Sequence, residues 1–156
     1  MTGEDRLQHA FDLAYRYLGH RDRTAAEVRA RLEAKGVEPP VVDEVVEELS
    51  RQGYVDDARY AKRFAEDRRT IDAWGAERIE RRLLAVGIAP ALIASALQER
   101  GTGEELEAAV AVLRRRFPRA PSGDRDRERA LGLLVRKGYD LELAYDAVRA
   151  FERDAA

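Results

Sequence analysis

Three glycines, Gly36, Gly87 and Gly138, stand 51 residues apart, and the apolar positions around them keep the same step. Leu32, Leu83 and Leu134 lie four residues before each glycine, and Val28, Ile79 and Ala130 lie eight before. Val37, Ile88 and Tyr139 follow directly; Val41, Leu92 and Leu143 come five after, and Val46, Leu97 and Val148 ten after. Columns held in this way without a gap mark an internal repeat. A repeat constrains the fold before anything else, because each copy buries its apolar face within itself and against its neighbours. The helix ahead of these columns agrees less well: Ala14 and Ala65 match, whereas the third copy places Arg116 there.

Within a copy the period is helical. Leu7, Ala10, Phe11, Ala14, Tyr17 and Leu18 recur at i, i+3/i+4 and i+7 and give one apolar face. Val28 and Leu32 mark a second helix that ends at Lys35-Gly36, where glycine takes the left-handed cap conformation. Val41, Val42, Val45, Val46 and Leu49 mark a third; valines favour strands, but this spacing does not alternate, and Pro39 and Pro40 suit a helical first turn. Known helical solenoids repeat at roughly 33 to 47 residues per unit. A period of 51 accommodates three helices. The predicted fold is therefore all-α: three tandem three-helix repeats at 4–54, 55–101 and 102–153, forming an elongated, curved right- or left-handed array. The segment Pro118–Gly123 reads as a loop inside the third repeat, and residues 154–156 as a frayed end.

Composition agrees with such an array. Of 156 residues, 45% are hydrophobic, enough for a core, and 37% are charged, which an extended surface keeps wet more readily than a compact globule. Cysteine is absent, so disulfides, thiolate metal sites and cysteine nucleophiles are excluded. Met-Thr-Gly-Glu-Asp has neither the basic nor the apolar region of a secretory signal, and no stretch approaches the roughly 18 apolar residues of a membrane span. The expectation is a soluble cytoplasmic protein with no membrane partner.

Net charge is −2, which taken whole is not a nucleic-acid-binding balance. Its distribution is uneven: residues 21–36 carry +2, 37–58 carry −6, 59–86 carry +3, 87–113 carry −3, 114–139 carry +6 and 140–156 carry −3. The first or second helices carry the positive charge and the third helices the negative, so stacked repeats align a basic and an acidic stripe. Side-by-side like charges cost stability unless an anion meets them. The candidate binding residues are accordingly Lys62, Arg68, Arg69, Arg78, Arg81, Arg82, Arg114, Arg115 and Arg116.

Catalytic chemistry finds no footing. His9 and His20 have no second histidine at ligand spacing and read as a helix-surface and a loop residue. No GxSxG or HExxH motif occurs, and Gly-Thr-Gly at 101–103 reads as a turn between repeats. Asp56-Asp57 stands where an aspartate caps the helix that follows. Trp74 is the only tryptophan and fits either a core plug or an interface anchor, with packing favoured. The expectation is a protein without catalytic residues, metal or cofactor.

These residues resemble a known family. Arg23-Thr-Ala-Ala-Glu-Val28, with Leu32-Glu-Ala-Lys-Gly36-Val37, is similar to the first-repeat signature of RecX proteins. Gln52-Gly-Tyr-Val-Asp-Asp-Ala-Arg-Tyr-Ala61 resembles their most specific segment, leading into the second repeat. Gly75-Ala-Glu-Arg-Ile79, Leu83 and Gly87-Ile88 resemble the second-repeat signature, and Leu134-Val-Arg-Lys-Gly138-Tyr139 the C-terminal one. Family members often carry a lysine close before the glycine matched by Gly75, where this chain has Trp74. The resemblance implies a regulator that binds the RecA–DNA filament in its groove and restrains RecA's ATPase, strand exchange and co-protease functions. It thereby implies a role in homologous recombination, DNA repair and the SOS response. A monomer is expected separately, because each repeat can bury its apolar stripe within the chain. Direct contact with single- or double-stranded DNA is a further implication. Two other readings stand beside it: a stand-alone helical DNA-binding protein, and a generic helical-repeat adaptor.

Overall fold

The computed structural model describes residues 2–155; among them are nine α-helices and no strand. The helices fall into three sets of three: α1 (Gly3–Leu18), α2 (Ala25–Ala34) and α3 (Pro39–Arg51); α4 (Asp57–Ile71), α5 (Ala76–Ala85) and α6 (Pro90–Leu97); α7 (Thr102–Arg116), α8 (Asp124–Lys137) and α9 (Leu141–Asp154). The all-α, three-repeat architecture expected from the glycine register is the one observed.

Local chemistry explains the boundaries. Thr2 with Asp5, and Thr24 with Glu27, form reciprocal capping boxes that open α1 and α2. Pro39 and Pro40 open α3, where missing N–H groups cost nothing. Each second helix stops in the same way: Gly36, Gly87 and Gly138 have φ of +82°, +85° and +100°. The amides of Val37, Ile88 and Tyr139 reach back to the carbonyls of Leu32, Leu83 and Leu134, each at 3.0 Å. This is the left-handed glycine cap closed by a bond across the last turn. The three glycines are thus structurally equivalent.

The mismatch at the first helices has a physical cause. Ala10 and Ala14 of α1 and Ala61 and Ala65 of α4 are buried, and the corresponding buried pair in α7 is Ala109 and Leu113, not the residues 51 further on. The register has slipped by three residues. The residues at 117–123 form a loop, and α8 begins at Asp124, three residues ahead of the position equivalent to Ala25 and Ala76. Arg116 is therefore exposed rather than a defect in the core.

The chain divides into two compact units. One comprises residues up to Ala61 with Leu83–Ile93, the other Lys62–Arg82 with residues from Ala94 onward, so the middle repeat contributes to both. In the first, Ala10, Ala14, Val28, Leu32, Val45 and Leu49 are the fully buried centre of the core built by α1, α2 and α3. In the second, α7, α8 and α9 close over Ala109, Leu113, Leu134, Ala144 and Tyr139, the largest fully buried side chain.

One joint is built entirely within the first unit. The Thr24 hydroxyl donates to the Val86 carbonyl at 2.6 Å, and the Ala25 amide at the start of α2 donates to Asp57 Oδ1 at 2.9 Å. A Cβ on Gly87 would lie 2.3 Å from the Ala26 Cβ, so this turn is pressed directly on the start of α2. The paired aspartates thus have separate duties. Asp56 caps its own helix by accepting from the Arg59 amide at 3.0 Å, while Asp57 caps α2 in the preceding repeat. Asp57→Ala is expected to cost about 1 kcal/mol, the usual loss for a missing cap, because Thr24 and Glu27 still satisfy other amides. Urea denaturation of the variant checks it.

Candidate binding site

The N-terminus of α5 lies in the second unit and is held by a second copy of this joint. The Gly75 amide donates to the Lys137 carbonyl at 2.8 Å, the Glu77 amide to the Gly138 carbonyl at 2.9 Å, and the Ala76 amide to Glu105 Oε2 at 2.8 Å. Lys137 is the counterpart of Val86 at the 51-residue step, and Glu105 that of Asp57 once the three-residue slip is applied. Backbones meet here without side chains between them: a Cβ on Gly75 would sit 2.5 Å from the Gly138 carbonyl, and one on Gly138 would sit 2.2 Å from the Arg78 Cβ. Tyr139 closes the joint by donating its hydroxyl to the Ala73 carbonyl at 2.9 Å, and its burial raises the phenol pKa. Ala73 itself adopts φ +55°, uncommon for a residue with a Cβ, and it turns the chain toward Trp74.

Glu105 has the most demanding role in this joint. Its second oxygen accepts from Arg100 at 2.8 Å, and the two side chains are only 12% and 19% exposed. The nearby Arg69 guanidinium donates to the Leu97 carbonyl at 3.1 Å while its Nε is buried without a partner. Burial first, and then the charge of Arg100, lower the Arg69 pKa from the usual arginine value. Glu105→Ala would leave Arg100 and Arg69 facing one another and orphan the Ala76 amide. The expected loss is about 3 kcal/mol, as for breaking a largely buried pair from one side. Chemical denaturation is the measurement, and Glu105→Gln should recover part of the loss by retaining the acceptor.

Trp74 resolves as a packing residue. Its ring is half-buried and meets Phe64 edge-on at 6.0 Å, with the Arg78 guanidinium 4.1 Å over its face and that of Arg68 at 5.9 Å. Arg78 also donates to the Arg136 carbonyl at 3.2 Å, so stack and hydrogen bond fix its direction. Beyond it on the same helix, Arg81 and Arg82 are exposed, and no carboxylate among the described residues pairs with either. Arg78 and Arg82 are one turn apart and share a face.

The structure separates the remaining candidates. Arg68 pairs with Asp72 and stays beside Trp74. Lys62 pairs with Glu99 at 3.4 Å, and Arg69 is spent on Leu97, so both turn toward the end of α6 rather than toward Arg78. Arg114 pairs with Asp154 at 2.7 Å, whereas Arg115 and Arg116 are exposed and have no carboxylate partner among the described residues. Glu105 was missed in the sequence because its equivalence to Asp57 is hidden by the slip; alignment on Ala109 and Leu113 exposes it. His9 and His20 are exposed, and no cluster of potential metal ligands occurs among the described residues. No helix among them is long and apolar enough to cross a membrane.

Comparison with known proteins places the three repeats in a known family. The family descriptions "RecX, first three-helix domain", "RecX, second three-helix domain" and "RecX, third three-helix domain" match residues 10–49, 56–97 and 103–148 in order. A protein of Trichlorobacter lovleyi named "Regulatory protein RecX" is 34% identical over 148 residues, covering 92% of this chain and 96% of that protein. A Deinococcus radiodurans protein of the same name is 34% identical over 149 residues, covering 95% of this chain and 71% of that protein. The crystal structure of RecX from Lactobacillus salivarius superposes with a TM-score of 0.85 at 19% identity, covering 96% of this chain and 99% of that one; at that identity it speaks to the fold. With its three domains matched in order and with relatives this similar across nearly all of its length, the chain belongs to the RecX family of regulatory proteins.

Proposed function

We propose that this protein binds the RecA–DNA filament and restrains the recombinase and ATPase activities of RecA, modulating recombinational repair and the SOS response. It acts in the cytoplasm, as a monomer, and without a chemical step of its own. Family membership is the observation that carries this reading. The physical support is a row of cations with no carboxylate partner among the described residues: Arg78 fixed on Trp74, then Arg81 and Arg82 exposed along α5. Arg68 flanks the same ring, and Arg115 and Arg116, with no carboxylate partner among the described residues, add charge at the end of α7. Arg78, held on the Trp74 ring, loses little entropy on binding, and the guanidinium fork of Arg78, Arg81 and Arg82 suits acidic protein surfaces or phosphates. The third helix of the first repeat is unsuited to duplex DNA; Glu44 and Glu47 are exposed on α3, where a recognition helix would need cations.

Co-sedimentation separates the alternatives. Assembled RecA filaments on single-stranded DNA are expected to bring the protein down at low and moderate salt. Naked single- or double-stranded DNA should hold it weakly and lose it as salt rises. Equal retention on naked DNA and on filaments would favour the stand-alone DNA-binding reading, and retention on neither would end both.

A further inference from the structure

A second group of basic side chains lines the surface of α7 and α8 beside the end of α4. A cavity of about 380 Å³ is lined by Arg116, Phe117, Arg125, Arg129, Leu133 and Arg136, with Glu128 the one acid at its edge. A neighbouring cavity of about 360 Å³ shares Arg116 and Leu133 and continues past Ile71, Val112, Arg115 and Lys137. Its one acid, Asp72, is already paired with Arg68. Arg115, Arg116, Arg125, Arg129 and Arg136 have no carboxylate partner among the described residues. Many other arginines do have one: the half-buried Arg29 and the exposed Arg51, Arg59, Arg114, Arg127 and Arg149. Arg127 shows the contrast on α8 itself, since it points to Asp124 and Glu152 while Arg125, Arg129 and Arg136 turn to the groove.

The floor of this groove identifies the kind of anion. Leu133, Val112 and Ile71 are aliphatic, and Ile71 is 69% exposed at the end of α4. Phe117 is the only aromatic ring lining either cavity; it is half-buried, and Arg116 and Arg129 already sit 5.7 and 5.9 Å from its centre. A single-stranded nucleic acid groove uses exposed aromatic faces on which successive bases stack. An arginine rim over an aliphatic floor instead suits carboxylates interleaved with apolar side chains, bound by charge-assisted pairs and by burial. We infer that this groove docks an extended acidic segment of a partner protein that carries aliphatic residues among its Asp and Glu. The inference deepens the filament reading, on which it rests for the identity of the partner.

The test uses the full chain and fluorescence anisotropy. The probe is a labelled synthetic peptide rich in Asp and Glu with leucine at every third position. Its controls are the same peptide with serine for leucine and a labelled oligothymidylate of equal charge. The leucine peptide is expected to bind, with affinity falling about tenfold in the Arg125→Ala/Arg129→Ala variant and by a similar factor for the serine peptide, each corresponding to roughly 1.4 kcal/mol. Circular dichroism confirms that the variant remains helical, and Arg136→Ala, further along α8, should weaken binding independently. Absence of binding, binding indifferent to these arginines in folded variants, or oligothymidylate displacing the peptide with higher affinity would overturn the inference. Inhibition of RecA by a protein that binds no acidic peptide would sink the groove and spare the filament reading. Peptide binding by a protein without effect on RecA would do the opposite.

Discussion

Gly138→Ala is expected to lower stability by about 4 kcal/mol or more, whereas Gly36→Ala costs only about 1–2 kcal/mol. Both glycines cap a second helix in the left-handed conformation, with φ of +100° and +82°, so both variants incur the conformational penalty of an alanine there. Their surroundings differ. Nothing lies within 4 Å of a Cβ at Gly36, while one at Gly138 meets the Cβ and backbone nitrogen of Arg78 at 2.2 and 2.6 Å. Backbone cannot rotate away as a flexible side chain would. Relief requires α5 to withdraw, which breaks the Gly75–Lys137 and Glu77–Gly138 hydrogen bonds and draws Tyr139 from the Ala73 carbonyl. Each bond is worth about 1 kcal/mol, and the buried groups left without partners cost more. A loss of this size is a large share of the 5–15 kcal/mol typical of a domain. Paired thermal melts of the two variants make the measurement: near-equal destabilisation would mean that the close approach of Gly138 to Arg78 contributes nothing beyond the cap.

Reversing Arg81 and Arg82 to glutamate is expected to weaken inhibition of RecA by about 30-fold or more, while leaving the fold intact. Both side chains are exposed, and neither has a carboxylate partner among the described residues. Surface changes of this type stay within about 0.5 kcal/mol of wild type. At an interface the same two charges would each be worth about 1 kcal/mol or more, and reversal adds repulsion to loss. Arg78 is not the residue to reverse, because its guanidinium lies on Trp74 and bonds to the Arg136 carbonyl, so damage there would mix stability with binding. The matching control reverses Glu44 and Glu47 on α3 to lysine and should leave inhibition close to wild type. Loss of inhibition in the acidic-face variant, with the arginine variant unaffected, would place the contact surface on α3.

Much of this molecule is readable in its sequence because the repeat keeps its spacing where backbone geometry demands it. Only glycine sits comfortably at φ near +80° to +100°, so Gly36, Gly87 and Gly138 advertise three equivalent helix ends. Leu32, Leu83 and Leu134 recur because each is wholly buried in the last turn before its glycine. The first helix of the third repeat was harder to register, since the loop at 117–123 and the longer α8 shift it by three residues without disturbing the columns that follow. The joints were harder still. Nothing in Asp57 or Glu105 alone tells that its carboxylate serves a helix in the preceding repeat, because that depends on tertiary approach rather than on local pattern. For the same reason a run of basic residues could be recognised as a candidate surface, but not sorted. Arg69, held at Leu97, and Arg81, with no carboxylate partner among the described residues, look alike until their neighbours are in place.

The most direct measurement is the single-stranded-DNA-dependent ATPase of RecA, titrated with this protein and, in parallel, with the Arg81→Glu/Arg82→Glu variant. Steady suppression of ATP hydrolysis by the wild-type protein at concentrations below those of RecA, with the variant displaced to much higher concentration, is the predicted result. ATP hydrolysis unchanged by the wild-type protein, up to and beyond equimolar amounts, would contradict the assignment of this chain as a regulator of the RecA filament.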